Sequence, residues 1–378
     1  MSAPLASRAD FLRLDGVVHL AGGGQTPALA RHQDALARAL AAKGTGLAGA
    51  EANERVRRRV AAKVGALLGA DPGDIGFPSS VAHGISLVAD AVDWREGDNV
   101  VMERWEFPSL MNPFLAQRRH GVEVRAVAPE PSTWRAPLAR FAEAVDRRTR
   151  VVAVSHVSFL TGERHDLEAY AAMARRVGAL FVVDASHALG SVPVEAPVAD
   201  FLVGCCYKFL LGHQGVAVAY WNRARVPDWR PALTGWHSVT WRPPMDAPDE
   251  VAPLTTGRAF EPGNPAWGPL YVLDDALDYL AALGMDAVEA HTLALSGELR
   301  ARLAAHGLAV VTPEPAAARA GSVAVAASDP ERIREALEAA GVLVTGEHGR
   351  VRASVHVYND GADVAAGADA LASAVRVR

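Results

Sequence analysis

The chain has 378 residues, half of them hydrophobic and 21% charged, with a formal net charge of −5. That length can bury a large core, the charge balance excludes the basic stripe that nucleic acid demands, and no run of 18 apolar residues offers a membrane span. Cys205 and Cys206 are the sole cysteines; their spacing suits neither a disulfide framework nor a metal site, and with no apolar leader in Met1 to Arg13 the expected location is the cytoplasm.

Taken in order, residues 17–20 read as a short strand, followed by the turn Ala-Gly-Gly-Gly-Gln-Thr-Pro and a helix opened by Pro27. The glycine spacing matches neither dinucleotide nor P-loop patterns, so it is expected to be a turn. Residues 51–69 form an amphipathic helix, with Val56, Val60, Val64 and Leu67 on one face. From Asp74 onward, short apolar strands alternate with helices. Strands are predicted at 75–77, 99–102, 122–127, 151–154, 180–183, 201–205 and 216–221, and helices at 81–92, 109–120, 137–145 and 167–177. This pattern predicts an α/β fold with a seven-stranded, mostly parallel sheet covered on both faces. Residues 223–262 are rich in Pro and Trp and read as connecting loops. Helices at 267–283 and 287–305 lead into a smaller α/β unit. Its strands are predicted near 308–311, 322–325, 342–345 and 351–357, with helices at 330–340 and 363–375. The expected division is an N-terminal segment, 1–25, packing on the small unit, a large ligand-binding domain, 26–250, and a small C-terminal domain, 251–378.

Ligands of such sheets lie at the carboxyl ends of the strands. Asp184 ends one predicted strand there, and Lys208 follows the next, in Cys-Cys-Tyr-Lys. A carboxylate and an amine so placed suit pyridoxal phosphate (PLP): the lysine links covalently to the cofactor, and the aspartate holds the proton on the pyridine nitrogen. Alone, each residue has a blander reading, a turn-forming aspartate and a solvated lysine at a strand end. The surrounding motifs give the pair its weight.

Those motifs are Ser79-Ser80-Val81-Ala82-His83-Gly84, Glu106-Phe107-Pro108-Ser109, Ser155-His156-Val157-Ser158-Phe159-Leu160-Thr161-Gly162, Asp184-Ala-Ser-His187, Tyr207-Lys208, Gly235-Trp236-His237, Gly263-Asn264, and Arg350-Val-Arg352-Ala-Ser ending in Tyr358-Asn359. In this order they resemble the class V aminotransferase group of fold-type I PLP enzymes, nearest the kynureninase, isopenicillin N epimerase and cysteine desulfurase branches. The resemblance extends over nearly the whole sequence. It implies that the backbone amides of Val81 and Ala82 meet the cofactor phosphate, as a helix N-terminus favours an anion. It also implies that Phe107 stacks on the pyridine, that Ser155 or Ser158 reaches the cofactor, that His187 contacts its O3′ or phosphate side, and that the Tyr207 hydroxyl reaches the phosphate. Lys208 and Asp184 become the catalytic pair. Trp236 and Asn264 cross to the partner's phosphate in a homodimer, and Arg352 clamps the substrate α-carboxylate.

The expected function is a PLP enzyme acting on an amino acid. The cofactor contacts lean toward a kynureninase-like lyase or hydrolase that cleaves a C–C or C–X bond within the substrate's side chain. A desulfurase needs a nucleophilic cysteine shortly before Arg352, and residues 341–351 contain none. An aminotransferase or epimerase is the alternative. A PLP-fold protein without chemistry is opposed by the intact Lys208, Asp184 and Arg352.

Overall fold

A computed structural model describes residues 2–240 and 251–376. The predicted domain boundary at 250 falls in a stretch outside the described residues. In sequence order the elements begin with β1 (Val18–His19), α1 (His32–Lys43), α2 (Leu47–Leu68), β2 (Ile75–Gly76), α3 (Val81–Asp90), β3 (Asn99–Glu103), α4 (Pro108–Leu115), β4 (Glu123–Val127) and α5 (Leu138–Ala144). They continue with β5 (Thr149–Ser155), α6 (Leu167–Val177), β6 (Leu180–Asp184), β7 (Phe201–Cys205), β8 (Ala217–Trp221), α7 (Trp267–Leu283) and α8 (Met285–Ala305). The C-terminal part adds β9 (Ser322–Ala326), α9 (Pro330–Ala339), β10 (Val342–Leu343), β11 (Thr345–Glu347), β12 (Arg350–Ser354) and α10 (Gly361–Arg376).

The large sheet has seven strands in the order β2-β8-β7-β6-β5-β3-β4, with β8 alone reversed. Strand side groups alternate between faces, and here both faces are covered, so the strands read as unbroken apolar runs. In β5, Val151 and Ala153 pack with Ile85, Val88 and Phe114 of α3 and α4. Val152 and Val154 point the other way, into a core shared with α2, α6 and α7 through Val60, Ala171 and Leu273. Burying each of the larger of these residues contributes roughly 1.5–3 kcal/mol. The predicted mostly parallel sheet is therefore the observed one.

A second core joins Leu295, Leu299 and Leu303 of α8 to Val323, Ile333, Val351 and Leu371. Leu20 from the N-terminal segment enters this core, β1 pairs in parallel with β10, and Arg8 Nη1 donates to Asp363 at 2.9 Å. Helix α7, although it lies C-terminal to residue 251, packs on α1 and α2 and feeds the large core.

Some local expectations need correction. The first helix opens at His32, not at Pro27. Residues 26–31 stay non-helical because their backbone is bonded elsewhere: Thr26 N–H to Tyr207 O, and Ala30 N–H to Asp10 O. The segment 308–311 contributes one bridge, Val310 to Val325, rather than a strand. The single strand expected at 342–345 is two: β10 pairs with β1, and β11 turns to pair antiparallel with β12.

Candidate active site

Strands β5, β6 and β7 end side by side, with Ser155 in register with Asp184 and Asp184 with Val203. The backbone leaving β7 turns at once and brings Lys208 back over the end of β6. It is pinned there by the Thr26 hydroxyl, which donates to Lys208 O at 2.8 Å. Lys208 is buried, and its Nζ stands 3.0 Å from His187 Nε2. Burial first, then the charge of Lys208 and of Arg352, holds the His187 imidazole well below its usual pKa, so the ring is neutral. A neutral ring accepting from Lys208 at Nε2 carries its proton on Nδ1, and Nδ1 is a buried atom with no partner among the described residues.

Asp184 is buried as well, and Oδ1 accepts the Ser186 N–H at 2.8 Å. Burial raises its pKa, with the Ser186 bond and the Lys208 charge opposing that shift. Helix α3 opens against the same space. Ser80 Oγ caps the His83 N–H at 3.1 Å and Ser80 O takes the Gly84 N–H, which leaves the Val81 and Ala82 amides among the first-turn donors without an intrahelical acceptor. Phe107, directly before α4, lays its ring 5.4 Å from Lys208 Nζ, edge-on to Phe159 at 5.2 Å.

One cavity of about 170 Å³ is lined by Ser80, Val81, Phe107, Asp184, His187, Tyr207 and Lys208 together. Ser109 and Gln214 line it too. Gln214 has no signal in the sequence beyond the turn it belongs to, and Thr26 none beyond following the glycines. Ala82 sits in the same helical turn, half-buried behind Val81.

Ser155 lines this cavity, but its hydroxyl is not free. It donates to Glu106 Oε2, and its N–H donates to Glu106 Oε1 at 2.7 Å. Its proton is committed to the buried Glu106, so toward the cavity the Ser155 hydroxyl can only accept. Burial raises the Glu106 pKa, against the pull of both Ser155 bonds.

Above the cavity, Arg352 of β12 is 2% exposed and donates through Nη1 to Phe159 O. The N-terminal glycines serve this residue. A Cβ on Gly23 would stand 2.6 Å from Ser354 Oγ and 3.0 Å from Arg352 Nη2, so only glycine lets the turn close on the guanidinium. Trp236 and Asn264 are not brought to Lys208. They share a separate, open concavity with Arg55, Arg58 and Arg258, where Trp236 is 55% exposed.

These residues fit PLP. A buried amine, a buried carboxylate, an orphaned imidazole nitrogen, a flat aromatic face and free helix-terminal amides converge on one space. Among the described residues no helix is long and apolar enough to cross a membrane.

Comparison with known proteins agrees. The model of the family "Aminotransferase class-V" matches residues 29–366. A kynureninase of Pseudomonas fluorescens is 29% identical over 369 residues, covering 90% of this chain and 84% of that protein. A probable cysteine desulfurase of Methanothermobacter thermautotrophicus is 28% identical over 323 residues, covering 80% of this chain and 79% of the other. Among solved structures, the apo cysteine desulfurase of Thermococcus onnurineus superposes with a TM-score of 0.88 at 22% identity, over 100% of this chain and 99% of that one. The cystine C–S lyase C-DES, in complex with its product cysteine persulfide, gives 0.87 at 21% identity, over 95% and 98%. At those identities the structures establish the shared fold.

Proposed function

The chain belongs to the aminotransferase class-V family, and on that premise we propose that it acts as a kynureninase-like lyase or hydrolase, breaking a C–C or C–X bond within the side chain of an amino acid. It is a PLP-dependent enzyme. The observation that carries the proposed reaction is the buried Lys208–His187 pair beside Asp184, in a cavity where the one lining thiol, Cys205, is buried and donates to Ser186 O at 3.8 Å. Cys205 and Cys206 are both buried, and burial pushes both thiols up, away from the nucleophilic thiolate. Cleavage through a protein persulfide lacks its nucleophile, which leaves the kynureninase relative as the nearer guide.

When bound, PLP supplies an electron sink for the pair left at the substrate Cα. The protein's own groups do the rest. Lys208 Nζ carries the Cα proton, and neutral His187 accepts a hydrogen bond from that amine and fixes where it points. Asp184 keeps the pyridine nitrogen protonated. The Val81 and Ala82 amides and the Tyr207 hydroxyl hold the phosphate, Phe107 covers the ring face, and Arg352 holds the α-carboxylate through its planar fork. A cytoplasmic homodimer completes the proposal, since Trp236 and Asn264 lie apart from Lys208 of their own subunit. Dilution to monomer, followed by light scattering, is expected to release PLP; a monomer that keeps its cofactor and full activity removes both residues from the site.

The reaction type is tested by a single turnover without keto acid. An amino acid bearing a cleavable β- or γ-substituent is expected to release its fragment while the cofactor stays in the aldehyde form. Stoichiometric conversion to pyridoxamine phosphate, reversed by an added keto acid, would establish an aminotransferase instead.

A further inference from the structure

Arg350 and Arg352 are two residues apart on β12 and so project from one face of the strand, opposite the small partners Ala326 and Ala324 of β9. Arg350 is completely buried and Arg352 nearly so. Both guanidiniums turn to the same acceptor: Arg350 Nη2 donates to Phe159 O at 3.1 Å, and Arg352 Nη1 donates to that same oxygen. Arg350 Nε, Arg350 Nη1 and Arg352 Nε have no partner among the described residues. The carboxylate of Glu347 reaches only 3.7 Å from Arg350 and is 45% exposed.

Two buried cations sharing one neutral carbonyl form an unbalanced arrangement. The Phe159 ring, 5.5 Å from the Arg350 guanidinium, offers a cation–π contact, which offsets part of one charge. A buried guanidinium with free donors costs heavily unless an anion completes it. An amino acid with a single carboxylate gives that anion to Arg352 and leaves Arg350 as it is. Phe159, whose carbonyl both arginines bond, also lines the Lys208 cavity, so one residue separates the guanidiniums from that space.

We propose that the two guanidiniums read two carboxylates of one substrate, Arg352 the α-carboxylate and Arg350 a carboxylate at the far end of the side chain, so that the substrate class is a dicarboxylic amino acid. This rests on the reading that the site binds an amino acid at PLP. Arg350 Nη2 spends one hydrogen on Phe159 O and keeps a second, which with the unpartnered Nε or Nη1 beside it forms an edge that matches a carboxylate in two parallel hydrogen bonds.

The test titrates the holoenzyme with L-aspartate and L-glutamate against L-asparagine and L-glutamine, following the cofactor absorbance. Melting temperatures with glutarate and with butyrate provide a second readout that needs no amine chemistry. The better diacid is expected to bind on the order of 10- to 100-fold more tightly than its amide. Arg350→Gln is expected to erase that ratio while the cofactor band persists, and Arg350→Lys, which keeps charge but not the fork, to retain part of it. Equal affinity for acid and amide in the wild-type protein overturns the proposal. So does an Arg350→Gln variant that weakens all four ligands alike, the result expected if both arginines clamp one carboxylate. Should Arg350→Gln not fold, the wild-type ratio and the lysine variant decide. Absence of a lysine-linked cofactor band would sink the functional reading instead, and glutarate raising the melting temperature no more than butyrate would sink this one.

Discussion

The floor and the roof of the site are built on opposite electrostatic plans. The floor, at the ends of β5, β6 and β7, gives each amine and carboxyl a partner from the protein itself, Lys208 with His187, Asp184 with the Ser186 amide and Glu106 with Ser155, and leaves open only neutral donors, His187 Nδ1 and the first amides of α3. The roof, on β12, holds two guanidiniums against a single carbonyl and leaves three of their nitrogens without partners among the described residues. Ionisable groups that are partnered internally can be rigid before anything binds, whereas guanidiniums whose donors are left over are completed by a ligand. The difference divides labour between the two surfaces. On the proposed function, the floor is preorganised for the resident cofactor and the roof is left to be completed by the substrate.

If that division holds, substitutions in the two regions fail differently. Lys208→Ala on the floor is expected to abolish the borohydride-sensitive absorbance band and lower kcat by about 1,000-fold or more, and Asp184→Asn to cost on the order of 100-fold with the band kept. Arg352→Gln on the roof is expected to keep the band and raise KM by roughly 10- to 100-fold, with a smaller effect on kcat. Loss of bound PLP from the Arg352 variant, or an unchanged band in the Lys208 variant, would erase the distinction between floor and roof.

Much of the floor was legible in the sequence, for a physical reason. Strands buried on both faces must be apolar throughout, so their ends stand out as the first polar residue after each run, and Asp184 is such a residue. Lys208, three residues beyond β7, is found the same way. What could not be read is which polar groups consume one another. Ser155 carries a hydroxyl in the right place, yet Glu106, 49 residues earlier, takes it. Pro27 suits the first turn of a helix and equally an extended segment; the bond from Thr26 to the Lys208 carbonyl decides for the second. Arg350 and Arg352 are visible as residues, but only the closing of Phe159 and the glycine turn over β12 reveals that both are buried.

The smallest effect concerns the floor itself. Glu106 is buried, and burial lifts its folded pKa above the ordinary 4.5, with the nearby Asp184 carboxyl adding to the rise and the Ser155 bonds and His165 opposing it. A carboxyl that binds its proton more tightly when folded stabilises the protein fully below the unfolded pKa, and that contribution is lost as pH rises through the folded value. Gln cannot ionise, and its amide can still accept from the Ser155 N–H while donating to the Ser155 hydroxyl, which rotates to suit. Melting temperatures of the wild type and Glu106→Gln are therefore expected to lie close together near pH 4.5 and to separate above it. The wild type falls behind by roughly a few degrees as its buried carboxyl is forced to ionise. Parallel curves across that range would mean that Glu106 is already ionised when folded, and that the floor, like the roof, carries a buried charge it does not balance.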